Sequence, residues 1–449
     1  MSPAQPHVAV IGGGCAGLAA AAHLAEHNVL VTLLEASPHL GGRARAVAWK
    51  GLALDNGQHI LLGAYRETLR LLKLAGKEMD RAFLRLPLRL NMHDELNLKA
   101  LPALPAPLHI LSGLLLAHGL SFSERFAALR FMAWMDKQRF QLPQDETLHT
   151  LLARKHQPER LTRLLWEPIC LAALNTPVTQ ASAQVFLNVL RDSFGGNRKA
   201  SDMLLPKCDL SNLLAEPLAR FIERKGGTIR LSAPVSKLSK SRQFEVETED
   251  REQQLFSHVV IATSPFRLKP LLADFPHLHE VAGMAEQFQY QPIYTVYLQY
   301  REDVRLDIPM IGFAGTNGSH VLSQWVFDRG WLCSQPGLLA IVISAEGPHQ
   351  QLTQQTLAKA VADELSKAFP GLPEPLWHKV IAEKRATFAC TPDLSRPRQR
   401  TQVPGLYLAG DYTTDGIAAN LYPATIEGAV RSGVQCADDI LADLEKVKQ

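Results

Sequence analysis

The sequence carries little net charge for its length: its 449 residues have a formal charge of +3 at pH 7. Proteins that bind nucleic acid concentrate Lys and Arg against the phosphate backbone, so this near balance argues against a nucleic-acid partner. Long apolar runs are missing too. No uninterrupted one reaches the roughly 20 residues that a helix needs to cross a bilayer, and we expect no membrane-spanning helix.

Cysteine is scarce and scattered. The six cysteines, at positions 15, 170, 208, 333, 390 and 436, show neither C-x-x-C nor another metal-ligand spacing. This usage suits reduced thiols in the cytosol, and it predicts neither a metal site nor a catalytic cysteine. The first apolar run begins at Val8, which leaves no room for a secretory signal before it. A cytoplasmic location is therefore the expectation.

The composition is that of a folded globular protein, with 46% hydrophobic and 20% charged residues. A chain of this length exceeds what one hydrophobic core usually supports, so two closely connected domains are expected.

Three glycines in G-x-G-x-x-G spacing follow the apolar run Val8–Ile11, which suits a strand buried on both faces. In this pattern Gly12 makes a tight turn and Gly14 lets the backbone approach a pyrophosphate. Gly17 lets the next helix pack against the strand, and the N–H groups of that helix face the phosphate. The predicted cofactor contacts in this loop are Gly12, Gly14, Cys15, Ala16 and Gly17.

A carboxylate follows the next predicted strand. The apolar run Val29–Leu34 ends at Glu35. An acid in this position accepts hydrogen bonds from ribose hydroxyls and repels a 2′-phosphate, so Glu35 and its neighbour Ala36 are predicted cofactor contacts. Strand, glycine loop, helix, second strand and acid stand in the order of a dinucleotide-binding unit, which makes a purely structural turn a weak alternative.

The stretch Gly41-Gly42-Arg43-Ala44-Arg45 favours FAD over NAD. With the preceding motif it resembles the amine oxidase and phytoene desaturase superfamily of flavoproteins, in which a Gly-Gly-Arg turn follows the acid. The resemblance implies that Gly42 and Arg43 meet the FAD pyrophosphate and the flavin end. A diphosphate needs a compensating cation and a backbone without obstructing side chains. The alternative is an ordinary loop with surface arginines.

FAD-binding sequence occurs in three places, 1–75, 206–270 and 391–449, separated by insertions at 76–205 and 271–390. We therefore expect an α/β fold: a discontinuous Rossmann-like FAD-binding domain, with an α+β substrate domain inserted in two segments. The resemblance implies that Val235 lays its backbone against the adenine. The runs 294–300 and 337–344 predict strands of a sheet that floors the substrate site.

The third segment carries Gly410-Asp411 after a buried strand, and then a helix from about Thr425. The resemblance implies that Asp411 bonds the ribityl chain or the pyrophosphate region, and that the helix dipole favours negative charge near the flavin N1–C2 carbonyl. Taken alone, Asp411 is as readily a turn residue. The predicted cofactor contacts here are Gly410, Asp411, Thr425 and Ile426.

The run Asp55-Asn56-Gly57-Gln58-His59 follows the Gly-Gly-Arg turn, and in the superfamily the residues just past this glycine lie against the isoalloxazine ring. Gly57 and Gln58 are therefore predicted cofactor contacts, and His59 and Gln58 are the leading catalytic candidates. A histidine with a pKa near ~6.5 can protonate a departing hydroxyl, although a structural histidine with a fixed tautomer is equally compatible. Second-rank candidates are Asp415, Tyr412 and Tyr422.

The first insertion contains an unusually apolar stretch. Residues 101–120 are rich in Leu, Ala and Pro, and the predicted helix over 122–140 combines aromatic residues with Arg and Lys. One interpretation is a monotopic surface, on the cytoplasmic face of a membrane, through which a lipid substrate enters. The other is a set of buried helices in the substrate domain, which the sequence slightly favours. Both interpretations predict an apolar cavity.

Two departures from the amine oxidase pattern argue against an amine substrate. Those enzymes place an aromatic residue two positions before the Glu-Gly of the last helix, where this chain has Thr425. They often carry a lysine near the flavin N5, and the matching stretch here has Gln289 and Gln291 instead. Because no cysteine stands where covalent attachment is expected, the resemblance implies noncovalent FAD.

The C-terminal motifs, at 408–413 and 423–433, more closely resemble phytoene desaturases and, within that branch, hydroxysqualene dehydroxylases. The resemblance implies reductive removal of the hydroxyl of hydroxysqualene, giving squalene for hopanoid or other triterpenoid synthesis. The partners are then a long-chain isoprenoid substrate and other enzymes of that pathway. The loop 415–422 departs from this branch and is closer to plant-type desaturases. The alternatives are a carotenoid desaturase and a non-catalytic, flavin-binding lipid carrier or chaperone.

Overall fold

The computed structural model describes residues 6–315 and 321–446. The strands of these residues are β1 His7–Ile11, β2 Leu30–Leu34, β3 Ala46–Trp49, β4 Leu52–Asp55, β5 Leu61–Leu62, β6 Phe83–Leu86, β7 Arg89–Met92, β8 Leu96–Lys99, β9 Met203–Pro206, β10 Thr228–Arg230, β11 Val235–Lys240, β12 Phe244–Thr248, β13 Gln253–Phe256, β14 His258–Ile261, β15 Tyr290–Gln299, β16 Met310–Gly312, β17 Trp325–Asp328, β18 Leu338–Ser344, β19 Trp377–Phe388 and β20 Leu406–Leu408. The α-helices are α1 Cys15–Glu26, α2 Arg66–Leu74, α3 Met79–Ala82, α4 Leu108–Leu115, α5 Phe122–Lys137, α6 Leu148–Arg154, α7 Glu159–Leu161, α8 Glu167–Leu174, α9 Ala183–Phe194, α10 Glu216–Arg224, α11 Leu268–Leu271, α12 His279–Glu286, α13 Arg329–Cys333, α14 Gln354–Ala368 and α15 Ile426–Lys446.

A five-stranded parallel sheet, ordered β10-β2-β1-β14-β20, gathers strands from distant parts of the chain. Val10 of the central strand β1 pairs with Leu33 on one side and with Val260 on the other. All three side chains are fully buried, as is typical of parallel strands covered on both faces. Each of the three segments predicted to bind FAD contributes at least one strand to this sheet.

Helices α1, α10 and α15 pack on one face of the sheet. The many alanines of α1 let the last helix approach closely: a Cβ on Gly433 of α15 would lie 2.1 Å from the carbonyl oxygen of Ala16. The first and last helices are therefore held against each other, and both begin at the carboxyl edge of the parallel sheet, where α/β proteins bind ligands.

A seven-stranded sheet, ordered β19-β15-β18-β17-β16-β7-β8, takes strands from both insertions. Its pairs are antiparallel except for β16 with β7. Helix α14 covers one face, and Trp325, Phe327 and Val342 on the other face line the central cavity described below. The two predicted strands are confirmed, and β15 begins four residues earlier than the alternation indicates.

Two helix boundaries differ from the prediction. Helix α5 ends at Lys137 rather than at residue 140, because Arg139 and Phe140 adopt left-handed φ values of 52° and 57°. Helix α15 begins at Ile426, since Thr425 acts as a cap and accepts a hydrogen bond from the Gly428 N–H at 3.1 Å. Within residues 6–315 and 321–446, no helix is long and apolar enough to cross a membrane.

Candidate active site

The glycine loop between β1 and α1 is closed by packing on one side and open on the other. A Cβ on Gly12 would lie 2.6 Å from the Ala262 carbonyl oxygen, and one on Gly17 would lie 1.9 Å from the Gly12 carbonyl oxygen. Only glycine fits these two positions, because any side chain would collide with backbone. A Cβ on Gly14, in contrast, would meet nothing within 4 Å. The open side of the loop is therefore at Gly14.

Helix α1 begins at the open side of this loop, with Cys15 as its first residue. No side chain among the described residues caps its N-terminus. The first N–H groups of the helix thus remain available to an anionic ligand. Burial raises the pKa of the Cys15 thiol to about 12, so the thiol stays protonated and acts as a small packing group. Ala16 is buried beside it.

Glu35 follows β2 and is held by backbone N–H groups. Its Oε2 accepts from the Gly13 N–H at 2.6 Å, and its Oε1 accepts from the Ser37 N–H at 2.7 Å. A carboxylate has about four acceptor sites, so two contacts fix its orientation and leave lone pairs for ligand hydroxyls. Ala36, next in the chain, is exposed.

The Gly-Gly-Arg turn lies directly against the glycine loop. The Gly41 N–H donates to the Gly13 carbonyl at 2.8 Å, and a Cβ on Gly42 would lie 3.3 Å from the Cα of Gly14. Gly41 and Gly42 have φ values of +100° and +58°, which only glycine adopts readily. The two motifs therefore form one continuous backbone surface around Gly14.

Arg43 connects this surface to the C-terminal segment. Its Nη2 donates to the Asp411 Oδ2 at 2.7 Å, and its Nη1 donates to the Ala386 carbonyl at 2.6 Å. Asp411 is buried, and the preceding Gly410 N–H donates to the Ser432 hydroxyl of α15 at 2.8 Å. Arg43, which lines the cavity, is thus linked to Asp411, and the neighbouring Gly410 is linked to the last helix.

A buried ion pair supports the next motif. Arg329, which has no exposed surface, donates from Nη1 to the Asp55 Oδ2 at 3.0 Å and to the Gln58 Oε1 at 2.7 Å. The other oxygen of Asp55 accepts from the Leu210 N–H at 2.8 Å. The Tyr297 hydroxyl donates to the Asp55 carbonyl at 2.9 Å. Both charges are therefore paired and hydrogen-bonded, as buried charges must be.

Arg329 also determines how Gln58 is oriented. A guanidinium has no acceptor, so the amide atom that faces it must be the oxygen of Gln58. The amide nitrogen of Gln58 then points away from Arg329, and Gln58 lines the central cavity. Arg329 therefore occupies the amide oxygen of Gln58 and leaves its N–H donors to other partners.

His59 lies beside Gln58 in the cavity wall. Its Nδ1 is 2.6 Å from the Gly57 carbonyl oxygen, which can only accept a hydrogen bond, so Nδ1 carries a proton. Burial lowers the pKa of His59, which makes the neutral ring the dominant form at neutral pH. In that form Nε2 is an acceptor, and it becomes a donor when the ring takes a second proton.

The central cavity extends from these groups into the inserted segments. The cavity has a volume of about 330 Å³. Its polar lining residues include Arg43, Asn56, Gln58, His59, Tyr422 and Thr425, and also Tyr65, Arg89, Asn175, Asp192 and Glu383. The rest of its wall is mostly aliphatic and aromatic. The apolar wall includes Leu88, Leu90, Leu98, Ile110, Leu114, Met132, Leu165, Trp166, Ile169, Leu190, Phe194, Met203, Ile293, Met310, Trp325, Phe327 and Val342.

The remaining predicted residues lie in different surroundings. Thr425 and Ile426 line the cavity at the start of α15, and Val235 begins β11. Asp415 is exposed and closes its own loop, because its carboxylate accepts from the Ile417 N–H and the Asn420 amide at 2.8 Å each. It does not line the cavity. Of the five catalytic candidates, His59, Gln58 and Tyr422 line the cavity, whereas Asp415 and the buried Tyr412 do not.

Sequence reasoning missed two supporting residues, Arg329 and Glu427. Arg329 lies 274 positions from Asp55, and no motif marks it. Glu427 is buried and accepts from the Glu67 N–H, from the Thr68 N–H and from the Thr68 hydroxyl at 2.7 Å. It thereby joins the last helix to the start of α2. Its place in the Glu-Gly of the last helix was the only available signal.

Comparison with known proteins identifies relatives over the whole chain. The family model described as flavin containing amine oxidoreductase matches residues 15–441. A hydroxysqualene dehydroxylase of Rhodopseudomonas palustris is 29% identical over 97% of this chain and 98% of its own. A chloroplastic/chromoplastic 15-cis-phytoene desaturase of an Oncidium hybrid cultivar is 26% identical over 99% of this chain and 79% of its own. A solved structure of putrescine oxidase, 17% identical, superposes with a TM-score of 0.72 over 98% of this chain and 99% of its own.

Proposed function

The chain belongs to the flavin containing amine oxidoreductase family and is a flavin-dependent oxidoreductase, and from this premise we propose its cofactor, substrate and reaction. It binds FAD without a covalent bond and removes the hydroxyl group of hydroxysqualene to give squalene. The squalene then feeds hopanoid or related triterpenoid synthesis. The observation that carries the proposal is the mostly apolar cavity whose lining includes Arg43, Gln58, His59 and Thr425.

The residues around the glycine loop fit FAD. Gly14 leaves open space beside the backbone, and Glu35 offers oriented acceptors for ribose hydroxyls. The buried Thr263 hydroxyl, just past β14, has no hydrogen-bond partner among the described residues, as expected where a ligand supplies one. No cysteine of the described chain lines the central cavity, which supports noncovalent binding. When bound in its reduced form, FAD supplies a hydride to the carbon that loses the hydroxyl.

The cavity wall suits a long hydrocarbon. Side chains such as Leu114, Trp166 and Phe327 offer dispersion contacts. Because an isoprenoid chain forms no hydrogen bonds with water, its transfer from water into this cavity is favourable. The hydroxyl of hydroxysqualene is allylic, and its departure leaves a delocalised cation. The mostly apolar wall limits the access of water to that cation.

Two polar side chains of the cavity lining interact with the leaving hydroxyl group. The amide nitrogen of Gln58, oriented by Arg329, donates to the substrate oxygen and holds it in place. His59 in its doubly protonated form donates from Nε2 to that oxygen, the C–O bond breaks, and water leaves. The neutral ring that remains keeps its Nδ1 proton on the Gly57 carbonyl. The reaction consumes one hydride and one proton for each hydroxyl removed.

A carotenoid desaturase is the competing function, and the similarity to the phytoene desaturase favours it. The same cavity would then hold a polyene that loses hydride, and His59 would serve as a base instead of an acid. The R. palustris dehydroxylase supports the first assignment, because it matches this chain over nearly the full length of both proteins.

Anaerobic turnover decides between the two. In the first mixture, the purified protein carries chemically reduced FAD and is given hydroxysqualene. In the second, it carries oxidised FAD and is given phytoene. The products of both are identified by mass spectrometry. We expect squalene from the first mixture and unchanged phytoene in the second. Conjugated products from phytoene, without squalene in the first mixture, would assign the chain to the desaturases.

A further inference from the structure

Helices α4 and α5 present an apolar surface to solvent. Large hydrophobic side chains on and beside them are exposed, among them Phe122 at 87%, Phe126 at 66% and Leu116 at 60%. We call the following set the apolar patch: Leu101, Leu108, Leu115, Leu116, Phe122 and Phe126. This concentration of large, exposed apolar side chains within residues 101–126 marks an interaction site.

The charges around the apolar patch favour an anionic bilayer as the partner. No Asp, Glu, Lys or Arg occurs between Lys99 and Glu124. Glu124 is buried and paired with Arg160 at 3.0 Å, so α5 exposes one acid, Asp136. Lys99 and Arg130 are exposed and lie within four positions of a patch residue, and the half-buried Arg125 lies over the Phe122 ring, 5.4 Å from its centroid. Apolar side chains bordered by cations suit the interface of anionic phospholipids.

The opposite face of the same two helices forms the cavity wall. Ile110 and Leu114 of α4 and Met132 of α5 line the central cavity. Arg125 donates to the Leu115 and Ala117 carbonyls at 2.9 and 2.7 Å, which ties α5 to the C-terminus of α4. One layer of helix therefore separates the apolar patch from the cavity.

We propose that the apolar patch docks on an anionic phospholipid bilayer, and that the α4–α5 pair is the wall through which an apolar substrate passes from the bilayer into the cavity. Passage of substrate rests on the proposed function, whereas docking does not. Docking buries Phe122 and Phe126 at the acyl boundary and leaves the flanking cations at the headgroups.

Co-sedimentation of the full-length protein with vesicles tests docking without any substrate. The vesicles contain phosphatidylcholine with phosphatidylglycerol at seven to three by design, or phosphatidylcholine alone. The test variant combines Phe122→Ser with Phe126→Ser. The matched control is Leu376→Ser, since Leu376 is 66% exposed, like Phe126, but lies outside the patch. Flavin content and melting temperature of each variant verify that it folds.

We expect the parent and the control to bind the mixed vesicles more tightly than the neutral ones. The double variant should lose binding on the order of 100-fold, because burial of each phenylalanine contributes roughly tenfold or more. Equal binding by the double variant and the parent would overturn docking. Docking would also be overturned if the parent bound neither kind of vesicle. This outcome includes a parent whose apolar patch is covered by a second copy of the chain, and light scattering would then show a dimer.

Substrate passage has its own readout. Hydroxysqualene delivered in vesicles should show a raised KM with the double variant, whereas turnover of detergent-dispersed substrate should match the parent. An unchanged KM for vesicle-borne substrate would refute passage through α4–α5. If no variant forms squalene from either source, the proposed function fails while the vesicle-binding result stands.

Discussion

Replacing His59 by phenylalanine is the most direct test of the proposed chemistry. The ring of phenylalanine fills similar space in the cavity wall but can neither donate nor accept a proton. General acid catalysis typically contributes ~10²–10⁴-fold to a rate, so squalene formation should fall by about that factor. FAD binding should change little, because the glycine loop, Glu35 and the Arg43–Asp411 pair do not involve this side chain.

The pH dependence of the rate shows whether His59 donates or accepts the proton. Burial lowers the pKa of His59 below its usual value, so the doubly protonated ring is the minor form at neutral pH. If His59 is the acid, kcat/KM for dehydroxylation is highest below this pKa and falls about tenfold per pH unit above it. If His59 is a base in a desaturation, the rate instead rises through the same range.

The assay is anaerobic squalene formation from pH 5.5 to 8.5 with chemically reduced FAD, measured for the parent, for His59→Phe and for His378→Phe. His378 is exposed on β19, so its substitution controls for the loss of a histidine as such. A His59→Phe variant that retains FAD and works within twofold of the parent rate would refute the assignment. A parent rate that increases with pH would refute the acid role.

Three further predictions follow from the contacts of the site. Gly14→Ala should fold as well as the parent but bind FAD more weakly, because its Cβ would enter space open to the ligand; Gly17→Ala should fail to fold, because its Cβ would lie 1.9 Å from a carbonyl oxygen. Thermal unfolding with and without added FAD distinguishes the two. Glu35→Ala should weaken FAD binding by about 1–3 kcal/mol in fluorescence titration, and an unchanged Kd would mean that the ribose lies elsewhere. Arg329→Met should lower the free energy of unfolding in urea by about 3–5 kcal/mol, because it leaves the Asp55 charge buried and unpaired. Adding Asp55→Asn to this variant should recover part of that loss. If the losses of the two substitutions were additive, the pairing would be contradicted.

Much of the nucleotide-binding fold could be predicted from the sequence because its signals are local. A buried parallel strand must be apolar throughout, as Val8–Ile11 is, and a tight turn into a helix requires glycines at set intervals. The close contacts of Gly12 and Gly17 with backbone atoms explain why that spacing is so specific. The predicted ends of helices and strands differ from the observed ends by a few residues, because these ends depend on single φ angles such as that of Arg139.

The inserted segments were harder to predict because both interpretations of residues 101–140 require the same apolar composition. A helix that lines a cavity and a helix that faces a bilayer look alike in sequence. Only the folded chain shows that Leu114 points inward, at 2% exposure, while Leu115 and Leu116 point outward.

The sequence by itself determined the cofactor-binding unit, since each of its requirements is met by residues close together in the chain. The tertiary structure alone decided what surrounds the reactive end. Arg329 meets Asp55 and Gln58 across more than 270 positions, and its guanidinium holds the amide oxygen of Gln58. His59 is a recognisable candidate in the sequence, but its tautomer follows from the Gly57 carbonyl and its lowered pKa from burial. Hydrogen bonds and desolvation depend on distances in space, which a chain acquires only when distant segments pack together.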